Sequence, residues 1–173
     1  GENIVSVEVY RNSDGSFLEA QDMFRLPGIF RSVSLTSTAK VQVRDLRVFP
    51  TLDANYKDGI IRVEADVRNL SDKKVKDYTL AYSVYANKLY SDKNTLVNDV
   101  SATGNLTELD KAGKTSIITT LNIAVPKQWS AETPYRYVLV GQLKDKKGRV
   151  IETFSTAFGF CKVEIKDTSA SND

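Results

Sequence analysis

The chain contains no histidine and a single cysteine. Without an imidazole, Ser-His-Asp and Cys-His catalysis and histidine-ligated metal centres are excluded. With one thiol, no intrachain disulfide can form, so the inter-sheet bridge of antibody domains is missing. Cys161 also has no histidine to activate it, and a buried core or interface thiol is expected there, not a nucleophile. No apolar run approaches the roughly 20 residues of a membrane span, and no signal-peptide pattern opens the sequence. Helix should be scarce, because no segment sustains a 3.6-residue period. The net charge of +2, from 24 Lys+Arg and 22 Asp+Glu, is too small and too mixed to favour nucleic acid or an anionic membrane as partner.

What is present reads as a soluble β protein. Hydrophobic residues make up 41% and charged residues 27%, a globular balance. The 173 residues suit one ordinary domain with a remnant of a second. A start at Gly1-Glu2-Asn3, in mid-pattern and without Met, is expected of a piece of a longer protein.

Period-two alternation predicts strands along most of the length. Residues 4–10 (IVSVEVY) put Val5, Val7 and Val9 on one face. Residues 29–35 alternate after the Pro27-Gly28 break, and residues 36–39 are small and polar, as at a domain boundary. Residues 41–49 alternate with a slip at Asp45, and Pro50 is expected to stop them. The cleanest strand is 60–70, with Ile61, Val63, Ala65 and Val67 on one face and Arg62, Glu64, Asp66 and Arg68 on the other. Residues 78–86 follow, with Leu80, Tyr82 and Val84 inward. The Asn-, Asp-, Ser- and Thr-rich stretch 91–114 holds only weak strands, at 95–97 and 105–109. Residues 116–125 place Ile117, Leu121, Ile123 and Val125 together. Residues 135–144 and 149–158 form a hairpin about Asp145-Lys146-Lys147-Gly148, with Gly148 in the left-handed position, and 160–165 extend the last strand. Seven or eight strands spaced in this way predict an all-β fold, a two-sheet sandwich of the immunoglobulin-like kind.

The densest mixture of charge and aromatic surface lies in residues 11–35, RNSDGSFLEAQDMFRLPGIFRSVSL. That run closely resembles a segment of glycoside hydrolase family 2, of the β-galactosidase type. In that family it closes the N-terminal sugar-binding domain and leads into an immunoglobulin-like sandwich. The far end resembles the family too, in Gln128-Trp129-Ser130-Ala131-Glu132-Thr133-Pro134-Tyr135-Arg136-Tyr137 and in Gly159-Phe160-Cys161-Lys162-Val163-Glu164-Ile165. Departures are Asn12 for the usual Trp, Ala20 and Ser32 for Asp, Pro27 for Ser, and Cys161 for the Arg of the exit.

The resemblance implies an all-β, immunoglobulin-like β-sandwich of two antiparallel sheets at 36–166. It also implies a jelly-roll remnant at 1–35 and a polar tail at 167–173. The longer protein would hydrolyse terminal β-galactosides with retention, using two Glu about 5 Å apart on a barrel beyond this chain. The sandwich would support and link the sugar-binding and barrel domains, and would be inactive alone. A monovalent cation (sodium or potassium), with magnesium as a further candidate, is the implied cofactor of the longer protein. The implied partners are its own barrel and sugar-binding domains and a galactoside, with no nucleic acid and no membrane. A homo-oligomer is left open, and the implied compartment is the cytoplasm or periplasm of a bacterium.

The acidic group Asp14, Glu19 and Asp22 reads either as a carboxylate or hard-cation site or as a solvated loop paired with Arg11, Arg25 and Arg31. Spacing favours the loop. The resemblance singles out Asp14, whose position in the family reaches the active site and helps hold the monovalent cation beside the sugar. Trp129, Tyr135 and Tyr137 could stack on a sugar, but are expected as core plugs with a tyrosine-corner hydrogen bond. Asn69-Leu70-Ser71 and Asn105-Leu106-Thr107 match the glycosylation sequon by composition only. The rival reading is a free-standing carbohydrate-binding or adhesion sandwich, which an exposed aromatic strip would favour and a buried Trp129 would disfavour.

Overall fold

The structure is a computed structural model and describes residues 4–18, 26–87 and 93–165. Among the described residues, seven strands follow one four-residue helix, α1 (Gly15–Leu18). They are β1 (Val41–Leu52), β2 (Gly59–Asn69), β3 (Val75–Asn87), β4 (Asn94–Leu109), β5 (Lys114–Ile123), β6 (Arg136–Lys144) and β7 (Val150–Phe158). A three-stranded sheet has the order β1-β2-β5, and a four-stranded sheet the order β4-β3-β6-β7. Every strand pair is antiparallel. Compared with the constant-type immunoglobulin arrangement, the fourth strand has joined the sheet of the third.

Alternation explains the core. Ile61, Val63, Ala65 and Val67 of β2 are fully buried, and Leu80 and Val84 of β3 and Leu139 and Leu143 of β6 meet them from the other sheet. Burying one such side chain contributes roughly 1.5–3 kcal/mol, so these positions dominate the stability of the sandwich. The expected slip in the first strand is a bulge, with the register shifting between Val43 and Asp45. Beside it the Val43 N–H donates to the Glu152 carboxylate of β7 at 2.8 Å, tying the two sheets. Gly148 has a φ of 77° in the β6–β7 turn, as its sequence position predicts.

Several expectations need correction. Pro50 does not end β1, which continues to Leu52 with Pro50 opposite Ile61. An edge strand tolerates a residue without an N–H, because that donor has no second neighbour to serve. The stretch expected to be irregular forms the longest strand, the 16-residue β4. Its interruption is local: the register with β3 shifts between Ser83 and Tyr85, and Asp99 has a φ of 61°. Val125 lies beyond β5 and is exposed, so it does not share the inward face of Leu121 and Ile123. Residues 161–165 are not strand; Phe160 makes a single parallel bridge to Gln128.

The chain divides into two compact units, Gly1–Ser37 and Thr38–Asp173. In the first, residues 4–10 and 29–35 are not strands, and Val5, Val7, Phe30 and Leu35 are exposed. Alternation alone does not make a strand, because the backbone groups need a paired neighbour and no described strand supplies one. Among the described residues, every buried core residue lies from Val41 to Phe160. Among the described residues no helix is long and apolar enough to cross a membrane.

Candidate functional site

Asp14 sits in the turn that opens α1. Ser13 and Ser16 bind one another through their hydroxyls at 3.1 Å, and the Ser16 Oγ accepts the Ser13 N–H at 3.1 Å. The Asp14 carbonyl accepts the Phe17 N–H at 3.4 Å. The turn is thus held by its serines and backbone, and the Asp14 carboxylate is exposed without an ion pair to any described residue. Pairing with Arg11 or Arg31 does not occur among the described residues, and Glu19, Asp22 and Arg25 lie outside them. One free carboxylate supplies one of the several oxygens a hard cation requires. No group of three His, Cys, Asp or Glu able to hold a metal ion occurs among the described residues.

A second cluster of the expected residues gathers at one end of the sandwich. Tyr137, 4% exposed, lies edge-on to Tyr135 at 5.2 Å, stacked with Phe158 at 5.7 Å and edge-on to Phe160 at 5.4 Å. Its hydroxyl accepts the Lys127 N–H at 2.9 Å, the corner bond expected of a tyrosine at the start of a late strand. Burial pushes this phenol above its usual pKa. The Lys127 ammonium lies 5.0 Å from the centre of the Tyr135 ring.

Trp129 departs from expectation, being 42% exposed and not a core plug. Its backbone N–H donates to the Phe160 carbonyl at 2.8 Å, and its Cβ and Cγ lie close over Gly159, where an added Cβ would stand 3.0–3.3 Å from them. A depression of about 320 Å³ opens there, lined by Trp129, Arg136, Ala157, Phe158, Gly159 and Cys161. Cys161 is exposed, which rules out the buried-core role expected for it.

Two carboxylates of the three-stranded sheet are committed to structure. A cleft of about 650 Å³ on the outer face of the three-stranded sheet is lined in part by Asp45 and Asp66. Arg47 reaches both, at 3.7 Å and 3.1 Å, and Ser116 also donates to Asp66. Both carboxylates are thus engaged by Arg47, and Asp66 by Ser116 as well. Asn69, the first sequon residue, is fully buried and its side chain makes five hydrogen bonds, to Lys73, Leu109, Asp110 and Ser71, so it is a clamp inside the fold.

Known proteins place this architecture. The β-galactosidase of Priestia megaterium (strain DSM 319 / IMG 1521) is 40% identical over 167 residues, covering 96% of this chain. The β-galactosidase of Alteromonas mediterranea is 37% identical over 169 residues, again 96% of this chain. The chain spans only 15% of the length of each. Among solved structures, a glycosyl hydrolase family 2 member from Bacteroides cellulosilyticus superposes with a TM-score of 0.59 at 20% identity, over 70% of this chain and 16% of its own. The Parabacteroides merdae β-glucuronidase superposes with a TM-score of 0.54 at 23% identity, over 74% and 14%. These two likenesses concern the fold alone. The sugar-binding domain model of glycosyl hydrolases family 2 matches residues 1–39, and the family model itself matches 41–160. With well over half of its length matched, the chain belongs to family 2 of the glycosyl hydrolases.

Proposed function

We propose that this chain is the non-catalytic, immunoglobulin-like module of a retaining β-galactosidase, joining a sugar-binding domain to a catalytic barrel. The observation that carries the reading is the 40% identity over 96% of the chain to a protein named β-galactosidase, of which the chain is 15%. The match of the family model to residues 41–160 and of its sugar-binding domain model to 1–39 supports it. The substrate class is a terminal β-D-galactoside, and the longer protein works in the cytoplasm or periplasm of a bacterium. Asp14, exposed on its serine-held turn, supplies one oxygen ligand toward a sodium or potassium ion beside the sugar, and the other ligands come from outside the described residues; magnesium is a further cofactor of the longer protein.

The test uses the full reading frame and this chain side by side on chromogenic β-galactoside and β-glucuronide. The longer protein should cleave the galactoside and this chain should cleave neither. Turnover that follows the purified chain, or a longer protein that prefers the glucuronide, overturns the reading. Asp14→Ala in the longer protein should weaken sugar binding and blunt the response to sodium or potassium while leaving the fold intact.

The carbohydrate-binding alternative gains the exposure of Trp129 and loses the strip it would need. The other ring lining the depression, Phe158, is only 8% exposed.

A further inference from the structure

The segment after Phe160 is amphipathic in the reverse of the usual sense. In a surface strand the apolar side chains face the core and the polar ones face water. Here the polar residues are the anchored ones. The Lys162 ammonium donates to the Asp53 carbonyl at 3.2 Å, lies 4.9 Å from the centre of the Tyr56 ring, and pairs with Glu164 at 2.9 Å. Glu164 in turn accepts the Tyr56 hydroxyl. The side chains of Lys162 and Glu164 are accordingly only 19% and 37% exposed. Their apolar neighbours are the wet ones: Val163 is 86% exposed, Ile165 102%, and Cys161 is exposed as well. Four polar contacts to residues 53–58 and within the segment thus hold an extended stretch with Cys161, Val163 and Ile165 outward. At its start lies the 320 Å³ depression bordered by Trp129 and Cys161.

We propose that Cys161, Val163, Ile165 and the open side of Trp129 form one docking face, and that its occupant is the protein body following residue 165 in the longer chain. The proposal rests on the reading that this chain is a piece of a longer protein, the relatives being more than six times its length at 15% coverage. The face lies where the polypeptide leaves the sandwich, so the next body is tethered beside it at high effective concentration. The even-numbered polar residues set the register, and the odd-numbered apolar residues together with the depression receive an apolar anchor. A face of this kind, apolar at its centre with charged groups tied down around it, has the anatomy of an interdomain contact.

Cys161 provides its own reporter, because alkylation follows exposure. The wild-type 173-residue chain and the full-length protein are treated with iodoacetamide under native conditions, and the peptide carrying Cys161 is followed by mass spectrometry. Labelling of Cys161 should be about tenfold or more slower in the full-length protein. Val163→Asp with Ile165→Asp should restore fast labelling in the full-length protein and lower its melting transition, while leaving the transition of the 173-residue chain unchanged. A milder Val163→Ala should move both readouts in the same direction. Equal labelling rates in the two wild-type proteins overturn the proposal. So does slow labelling in the 173-residue chain that accompanies a dimer in sedimentation, which assigns the face to a second copy. Labelling is read without turnover, so a full-length protein that shields Cys161 yet cleaves no galactoside removes the proposed reaction and keeps the interface.

Discussion

Tyr82 is 1% exposed in the middle of β3, and its hydroxyl finds no hydrogen-bond partner among the described residues. A buried hydroxyl left unpaired costs about 1–3 kcal/mol on the scale of protein mutational data. Tyr82→Phe keeps the ring against Phe154 and removes that cost, so it should raise stability by about 1 kcal/mol in urea denaturation. A loss of similar size would reveal a partner for the hydroxyl. Burial also pushes the Tyr82 pKa from 10.0 up to about 12. The folded value lies above the unfolded one, so its contribution is intact below pH 10 and is lost as the pH rises from 10 toward 12. Tyr82→Phe should flatten that alkaline decline. At this scale the sequence was uneven as a guide. Spacing could not tell Asp14 from any solvated carboxylate, and only the resemblance to a family singled it out. Trp129 looked like core because aromatic rings usually are, whereas its exposure depends on chain segments far away in sequence.

Among the elements, β2 was the most legible, because it is central in its sheet and alternates between a core and a charged outer face. β4 was the least legible. Its Asn, Ser and Thr residues carry turn propensity, and pairing with β3 overrides it. The reverse failure occurs at 4–10 and 29–35, where alternation is good and no partner strand is present among the described residues. The ends of the elements depend on side chains that periodicity does not report. Asn69 closes β2 by donating to the carbonyls of Lys73, Leu109 and Asp110 and accepting from Ser71, which joins three chain segments. Asn69→Ala removes these mostly part-buried hydrogen bonds and should cost about 1–3 kcal/mol, read as a lower midpoint in chemical denaturation. A loss under about 1 kcal/mol would mean that the β4–β5 turn holds itself.

For the whole molecule, the described core lies from Val41 to Phe160, inside the second unit. A chain beginning at Thr36 should keep its thermal transition within a few degrees of the full 173 residues by calorimetry, and it should associate less, having lost exposed Val5, Phe30 and Leu35. Unfolding on truncation would make that segment part of the domain. The parity of the strands carries a mechanical consequence. Seven antiparallel traverses are an odd number, so a chain that enters at Val41 leaves β7 at the opposite pole. The last strand alone is nine residues, and at about 3.3 Å per residue the two attachment points stand roughly 30 Å apart. Six or eight traverses would bring both ends to one pole and make the module a side branch. Seven make it a strut in series, so that a pull between Val41 and Phe158 shears β1 along β7 and loads the Val43–Glu152 bond that joins the two sheets.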